Sequence, residues 1–265
     1  MTIPSYAKLQ RYWDGWDSRL KQLISGRNGA RLFFPTALQH GEIVDGKITI
    51  RPVAPIFIHN APPKASSSRG KSTRLAIFIA GSFEVSAADE QPCMHKADCN
   101  VTFYTCKPEP EGFSLKFFDA MHFDFEAAQS QTAFHPIFHV QRGVSREVSD
   151  DTVRDLFQEH LHTSRDKVVI NNEQVQDLGT PYLRLPTPQL DMFSVMTLIM
   201  ADFFCNGGDI SQDKQLVPRF RAILDYLRHE ANIIREGHGS RTLKGRIEAE
   251  RAQHMSAAHW YAECT

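Results

Sequence analysis

The spacing of apolar residues changes near residue 148, and this change limits the possible folds more than any other feature of the sequence. Between residues 47 and 141, apolar and polar residues alternate in short runs, which is typical of β-strands separated by turns. From residue 148 onward, apolar residues recur every three or four positions, as they do on one face of an α-helix. The sequence therefore predicts an α+β fold, with a mainly antiparallel β-sheet in the N-terminal half packed against C-terminal helices.

Five strands are predicted in the first half, because stretches rich in Val, Ile and Phe lie between turn-forming segments. They cover residues 47–58, 74–85, 100–106, 113–126 and 135–141. An amphipathic N-terminal helix is predicted ahead of them over residues 5–25, since apolar residues recur there at helical spacing and Gly26 can end the helix.

The second half predicts four helices and one short strand. The first helix is capped by Ser149 and runs to about residue 162, and the strand covers residues 167–170. The most apolar helix ends near residue 205 and is predicted to begin at Thr187 as the cap and Pro188 as the first helical residue. The last two helices cover residues 217–235 and 240–263. No long flexible linker divides the sheet-rich half (1–147) from the helical half (148–265), so a single domain is predicted over residues 1–265.

Composition predicts a soluble cytoplasmic protein with no membrane segment. The chain has 265 residues, a net charge of −1 and five cysteines, an odd number that fits a reducing compartment better than a disulfide framework. The first residues, MTIPSYAKLQRYWDGW, lack the apolar run of a signal peptide. No stretch approaches the roughly 18 apolar residues of a transmembrane helix.

One segment resembles a phosphate-binding loop in its residue pattern but not in the segment that follows it. Residues 65–72 read ASSSRGKS, close to the Walker A pattern. That loop must lead into a helix whose N-terminal N–H groups face the phosphates, whereas the following residues TRLAIFI are typical of a strand. A solvated loop between two strands is the better interpretation.

The clearest candidate for a functional site is a polar face on the strands predicted at 113–126 and 135–141. His122, Asp124 and Glu126 share one face of the first strand, and His135 and His139 share one face of the second. A hairpin that pairs Glu126 with His135 would place His122 directly opposite His139. The aromatic residues of both strands would then lie on the other side of the sheet.

This polar face suggests a metal site or an acid–base site. Two imidazoles and a carboxylate suit Zn²⁺, Mn²⁺ or Fe²⁺, so His122, Asp124 and His139 are the predicted ligands of a divalent metal. Glu126 or His135 would then act as the catalytic general base or orient a ligand. The alternative is a purely structural face, either open to water or covered by a helix.

A second zinc hypothesis involves Cys93, His95, Cys99 and Cys106, because Cys and His donors suit tetrahedral zinc. Their spacing matches no familiar zinc motif, and free thiols are the alternative.

Three functions remain open at this stage. The leading hypothesis is a protein-interaction module (a subunit, adaptor or regulator, acting with a protein partner or as a homo-oligomer). Trp13 and Trp16 of the N-terminal helix are candidates for a partner surface, although packing of this helix onto its own sheet is the favoured interpretation of these two residues. The second is a metal-dependent hydrolase that uses the polar face. The third is nucleic-acid contact through the loop 61–74 and a basic C-terminal helix that carries Arg241, Lys244 and Arg251.

Overall fold

The computed structural model describes residues 4–25, 29–62, 74–88, 94–126, 138–142, 148–172, 184–186, 191–205 and 214–230. Within these ranges ten strands form one sheet, flanked by four α-helices. The α+β fold predicted from the sequence, with its N-terminal helix, N-terminal antiparallel sheet and C-terminal helices, is confirmed.

The strands are β1 (Arg31–Phe33), β2 (Leu38–Val44), β3 (Lys47–Pro52), β4 (Ile56–Ala61), β5 (Arg74–Ser86), β6 (Met94–Glu109), β7 (Gly112–Glu126), β8 (Phe138–Arg142), β9 (Val168–Asn171) and β10 (Arg184–Pro186). The helices are α1 (Pro4–Ile24), α2 (Asp150–Leu161), α3 (Met192–Met200) and α4 (Leu216–Glu230). A 3₁₀ turn over Arg165–Lys167 precedes β9, and a π-helical turn over Ala201–Cys205 extends α3.

Three long antiparallel strands, β5, β6 and β7, form the centre of the sheet, with 13, 16 and 15 residues. Strands β5 and β7 are each long enough to pair with two shorter strands along the edge that faces away from β6. Strands β4 and β3 pair with different parts of β5, and β9 and β8 pair with different parts of β7. The β7–β9 pairing is the one parallel contact among the described strands.

The strand predicted at 47–58 is wrong in its extent, because two strands occupy this range. Residues 53–55 interrupt it between β3 and β4. Pro52 and Pro55 border the interruption, and proline has no N–H with which to continue a ladder. Strands β1 and β2 were not predicted; β2 is an exposed outer strand in which only Leu38 is buried, so its sequence has no alternating pattern.

The main core fills one face of the sheet and is covered by α1, α3 and α4. Phe193 of α3 joins its layers, since its ring stacks on Trp16 of α1 and on Phe83 of β5, both with centroids 5.4 Å apart. Trp13 and Trp16 are fully buried in this core. The favoured interpretation, that this helix packs onto its own sheet, is therefore confirmed, and the alternative of a partner surface at these two residues is wrong.

A second, smaller core lies on the other face of the sheet, under α2. Phe57, Phe78 and Tyr104 of the sheet meet Phe157 of α2, whose ring centroid is 5.1 Å from that of Phe57. The predicted cap of α2 is confirmed, since Ser149 Oγ accepts a hydrogen bond of 3.1 Å from the N–H of Thr152. Helices thus cover parts of both faces of the sheet.

Helix α3 is the core helix that its composition predicts, and all but one of its residues are buried. Its predicted start is wrong. Asp191 is the N-cap, and its carboxylate accepts a 2.8 Å hydrogen bond from the N–H of Ser194. A carboxylate at the helix N-terminus satisfies a free N–H and interacts favourably with the helix dipole.

Thr187 and Pro188 lie outside the described residues, as do the predicted helix 240–263 and the end of the helix predicted at 217–235. No helix in the described ranges is both long enough and apolar enough to cross a membrane.

Replacing Phe193 by alanine should lower the free energy of unfolding by about 3–5 kcal/mol, because it leaves a cavity between α1, α3 and the sheet. The measurement is urea unfolding followed by circular dichroism. Phe118→Ala is the control, since Phe118 is 52% exposed and a surface change costs about 0.5 kcal/mol or less. Equal losses in both variants would contradict the central position of Phe193.

Candidate functional site

The polar face predicted on two strands exists, and its hairpin is built by β7 and β8. His122 and Asp124 project from one face of β7, while Phe123 on the other face is buried in the main core. On β8, His139 lies on the polar side and Val140 packs against the main core. The predicted separation of polar and apolar faces is therefore confirmed for these residues.

The predicted strand register is wrong by two residues. His139 lies opposite Asp124 instead of His122, and His122 lies opposite Gln141. A shift of two positions keeps each side chain on its face, because the strand repeat is two residues. His122 and His139 become diagonal neighbours with ring centroids 6.4 Å apart.

Strand β6 adds two residues that the sequence analysis missed. Asp98 lies opposite Asp124, and Asn100 lies opposite His122. We call Asp98, Asn100, His122, Asp124 and His139 the histidine–aspartate cluster. The missed signal was the alternation of Asp98 and Asn100 with Cys99 and Val101, which shows that β6 begins earlier than the predicted residue 100.

Burial differs across the cluster. Asn100 and His139 are 5% and 3% exposed, so they form its floor. The side chains of His122 and Asp124 retain 23% and 17% of their exposure, so solvent reaches them. The cluster thus has two buried side chains, Asn100 and His139, and a His122–Asp124 pair that solvent reaches.

Asn100 determines which nitrogen of His122 carries the proton. Asn100 Oδ1 lies 2.7 Å from His122 Nδ1, and an amide oxygen can only accept a hydrogen bond, so Nδ1–H donates. In the neutral ring, the lone pair is then on Nε2. His122 Nε2 lies 4.0 Å from Asp124 Oδ2, too far for a hydrogen bond.

The carboxyl group of Asp98 has a raised pKa. Burial is the main cause, and the negative charge of Asp124 raises the pKa further. A hydrogen bond from Ser82 and the charges of His122 and Lys96 act in the opposite direction without cancelling the rise. A raised carboxyl pKa is common at sites of proton transfer.

Two residues assigned to catalysis from the sequence cannot be placed in the cluster. The backbone of Glu126 ends β7 opposite Lys96, and its side chain is outside the described residues. His135 also lies outside them. Their roles stay predictions.

The cluster is not a preformed metal cage. Across the residues that the structure describes, no three His, Cys, Asp or Glu side chains are gathered closely enough to hold a metal ion as they stand.

The alternative zinc site is wrong as a four-residue set. Cys99 lies in the main core and Cys106 in the second core, on opposite faces of the sheet. Seven positions along one strand also separate them by about 23 Å. His95 Nε2 instead lies 2.8 Å from Ser86 Oγ, and Cys93 is outside the described residues. Burial raises the pKa of Cys106 to about 12, which keeps it a neutral thiol.

The residues predicted to contact nucleic acid are largely outside the described structure. This applies to residues 63–73 of the loop and to Arg241, Lys244 and Arg251. Nucleic-acid contact therefore stays a prediction.

No family model matches the chain, and no curated protein and no solved structure was found to be similar to it. Function must therefore be inferred from the side chains themselves.

A second imidazole, that of His59, is half-buried away from the cluster. It packs among Phe57, Phe113 and Phe157, and burial together with the charge of Arg31 lowers its pKa to about 4. Its Nδ1 has no hydrogen-bond partner in the described part of the chain. This imidazole is a neutral packing group at physiological pH.

His59 should make the protein less stable as the pH falls from about 6.5 to about 4. The unfolded chain binds a proton in this range and the folded chain does not, so acidification favours unfolding. After allowance for partial exposure, the loss should be about 1–2 kcal/mol. Urea unfolding of the wild type and His59→Leu at several pH values measures it. Parallel stability profiles for the two proteins would contradict the assignment.

Proposed function

We propose that the chain is a divalent-cation-dependent hydrolase whose site is the histidine–aspartate cluster. The observation that carries the proposal is the His122–Asp124 pair. A ring nitrogen with a free lone pair and a carboxylate oxygen face one another across 4.0 Å with no hydrogen bond between them. Metal–ligand distances to His and Asp are each about 2.0–2.2 Å, so the two side chains would move slightly closer together to bind one cation through the imidazole nitrogen and the carboxylate oxygen.

The charges of the cluster also favour a cation. Asp98 and Asp124 are directly opposed on neighbouring strands, and the charge of Asp124 disfavours ionisation of Asp98. Lys96 is exposed to water, and its positive charge does not cancel the rise in the pKa of Asp98. A bound cation would stabilise both carboxylates as anions.

His139 is the third donor in this proposal, because it lies directly opposite Asp124. Imidazole and carboxylate donors suit Zn²⁺ or Mn²⁺, and such an ion lowers the pKa of a bound water. Asp98 lies opposite Asp124 on the neighbouring strand, and its carboxylate would accept a proton from that water and return it later. The partial exposure of His122 and Asp124 leaves a route for substrate.

Protein interaction is the second candidate function, and the exposed outer strand β2 favours it. In the described ranges β2 pairs only with β3, and its end exposes Ile43 and Val44 at 55% and 64%. A strand of this kind can accept a strand from a partner. Sizing-column measurements on the wild type and on Ile43→Lys test this function independently of the cluster.

Asp124→Asn should weaken Zn²⁺ or Mn²⁺ binding by about tenfold or more, because it removes a charged ligand and keeps the side-chain shape. Isothermal titration of the metal-free protein measures the affinity, and mass spectrometry measures the metal content after reloading. Asp119→Asn is the matched control, since Asp119 lies on the same strand but bonds Arg142 on the other side of the sheet.

Hydrolysis of nitrophenyl esters and nitrophenyl phosphates, assayed with and without the metal, tests the reaction class. Activity that requires the metal and is lost in Asp124→Asn supports the proposal. Absence of metal binding in the wild type, or equal affinity in Asp124→Asn, would overturn it.

A further inference from the structure

We infer that Asn100 is the positioning residue of the cluster, which selects the tautomer of His122 and so makes its Nε2 available to a ligand. The inference deepens the proposed function, and its consequence for cation affinity rests on that function. The tautomer itself can be tested without any cation.

The position of Asn100 is fixed from both sides. It is 5% exposed on the central strand β6, with Ala80 of β5 opposite it on one side and His122 of β7 on the other. The small side chain of Ala80 provides no competing polar group. Asn100 Oδ1 therefore remains directed at His122 Nδ1, at 2.7 Å.

The distance between His122 and Asp124 independently supports this tautomer. If Nε2 carried the proton, it would be expected to donate to the carboxylate of Asp124, as His–Asp pairs commonly do. The Nε2–Oδ2 distance of 4.0 Å exceeds the length of a hydrogen bond. Both ring nitrogens therefore indicate the same tautomer, with the proton on Nδ1.

The chemistry of Asn100 offers a conservative test. Its Nδ2 makes no hydrogen bond among the described residues, so the contact to His122 is the one that matters. Asn100→Asp keeps the shape and the accepting oxygen, replaces this amino group by a second oxygen and adds a negative charge to the cluster. Asn100→Leu keeps a similar volume and removes the acceptor.

The tautomer is measured from the ¹⁵N chemical shifts of His122 in metal-free, ¹⁵N-labelled protein at a pH where the ring is neutral. We expect the proton on Nδ1 in the wild type and in Asn100→Asp, and a shift of the population toward Nε2–H in Asn100→Leu. A merely structural role for Asn100 would leave the tautomer unchanged. A wild-type ring protonated on Nε2, or an Asn100→Leu ring that stays protonated on Nδ1, would overturn the inference.

Zn²⁺ titration supplies the second measurement. Removing a group that orients a metal-binding histidine typically lowers metal affinity by about 10–100-fold, so we expect this loss in Asn100→Leu and no loss in Asn100→Asp. A wild type that binds no Zn²⁺ but shows the predicted tautomers would refute the proposed function and leave the role of Asn100 intact. If Asn100→Leu does not fold, Asn100→Ala removes the same acceptor and takes its place in both measurements, with the same expected and contradicting results.

Discussion

The strict alternation of side chains along β5, β6 and β7 is the constraint on which the rest of the structure depends. These strands have buried residues on both faces, so every buried side chain must be apolar or must find a polar partner. On one face the alternation builds the main core under α1, α3 and α4. On the other face it builds the second core under α2 and, further along the same strands, the histidine–aspartate cluster. A one-residue slip of β6 would exchange Cys99 with Asn100 and disrupt both faces together.

The sequence predicted the parts of the fold that depend on local periodicity. The buried stripe of α1 and the cap of α2 follow from residue spacing and from Ser149, and both are confirmed. A partner surface at Trp13 and Trp16 stayed open as an alternative because an amphipathic stripe has the same residue pattern whether it packs on its own sheet or on another protein. The split between β3 and β4 has a local signal in Pro52 and Pro55 that the predicted strand 47–58 overlooked, whereas the pairing of both strands with different parts of β5 is a tertiary property.

The sequence predicted which face of the sheet carries the residues of the candidate site, but not which of these residues lie next to one another. His122, Asp124 and His139 share one side of the sheet because parity is a local property of each strand. Which of them are directly opposed depends on the pairing of β7 with β8 and on the packing of Phe123 and Val140, and the register was predicted two residues away from the one observed. Asp98 and Asn100 come from a third strand, and only the tertiary pairing of β6 with β7 brings them to the cluster.

The cluster lowers the stability of the fold, and apolar packing on the other face of the same strands offsets this loss. Buried carboxylates and imidazoles lose solvation, and a raised pKa for Asp98 is the direct sign of that loss. Cys99, Val101 and Phe123 alternate with the cluster residues and are buried in the main core, so the backbone that carries the polar groups is held by apolar packing. Such a backbone fixes the spacing of the residues of the cluster. This is the arrangement that ligand binding requires, because a site on rigid strands loses little conformational entropy when the ligand arrives.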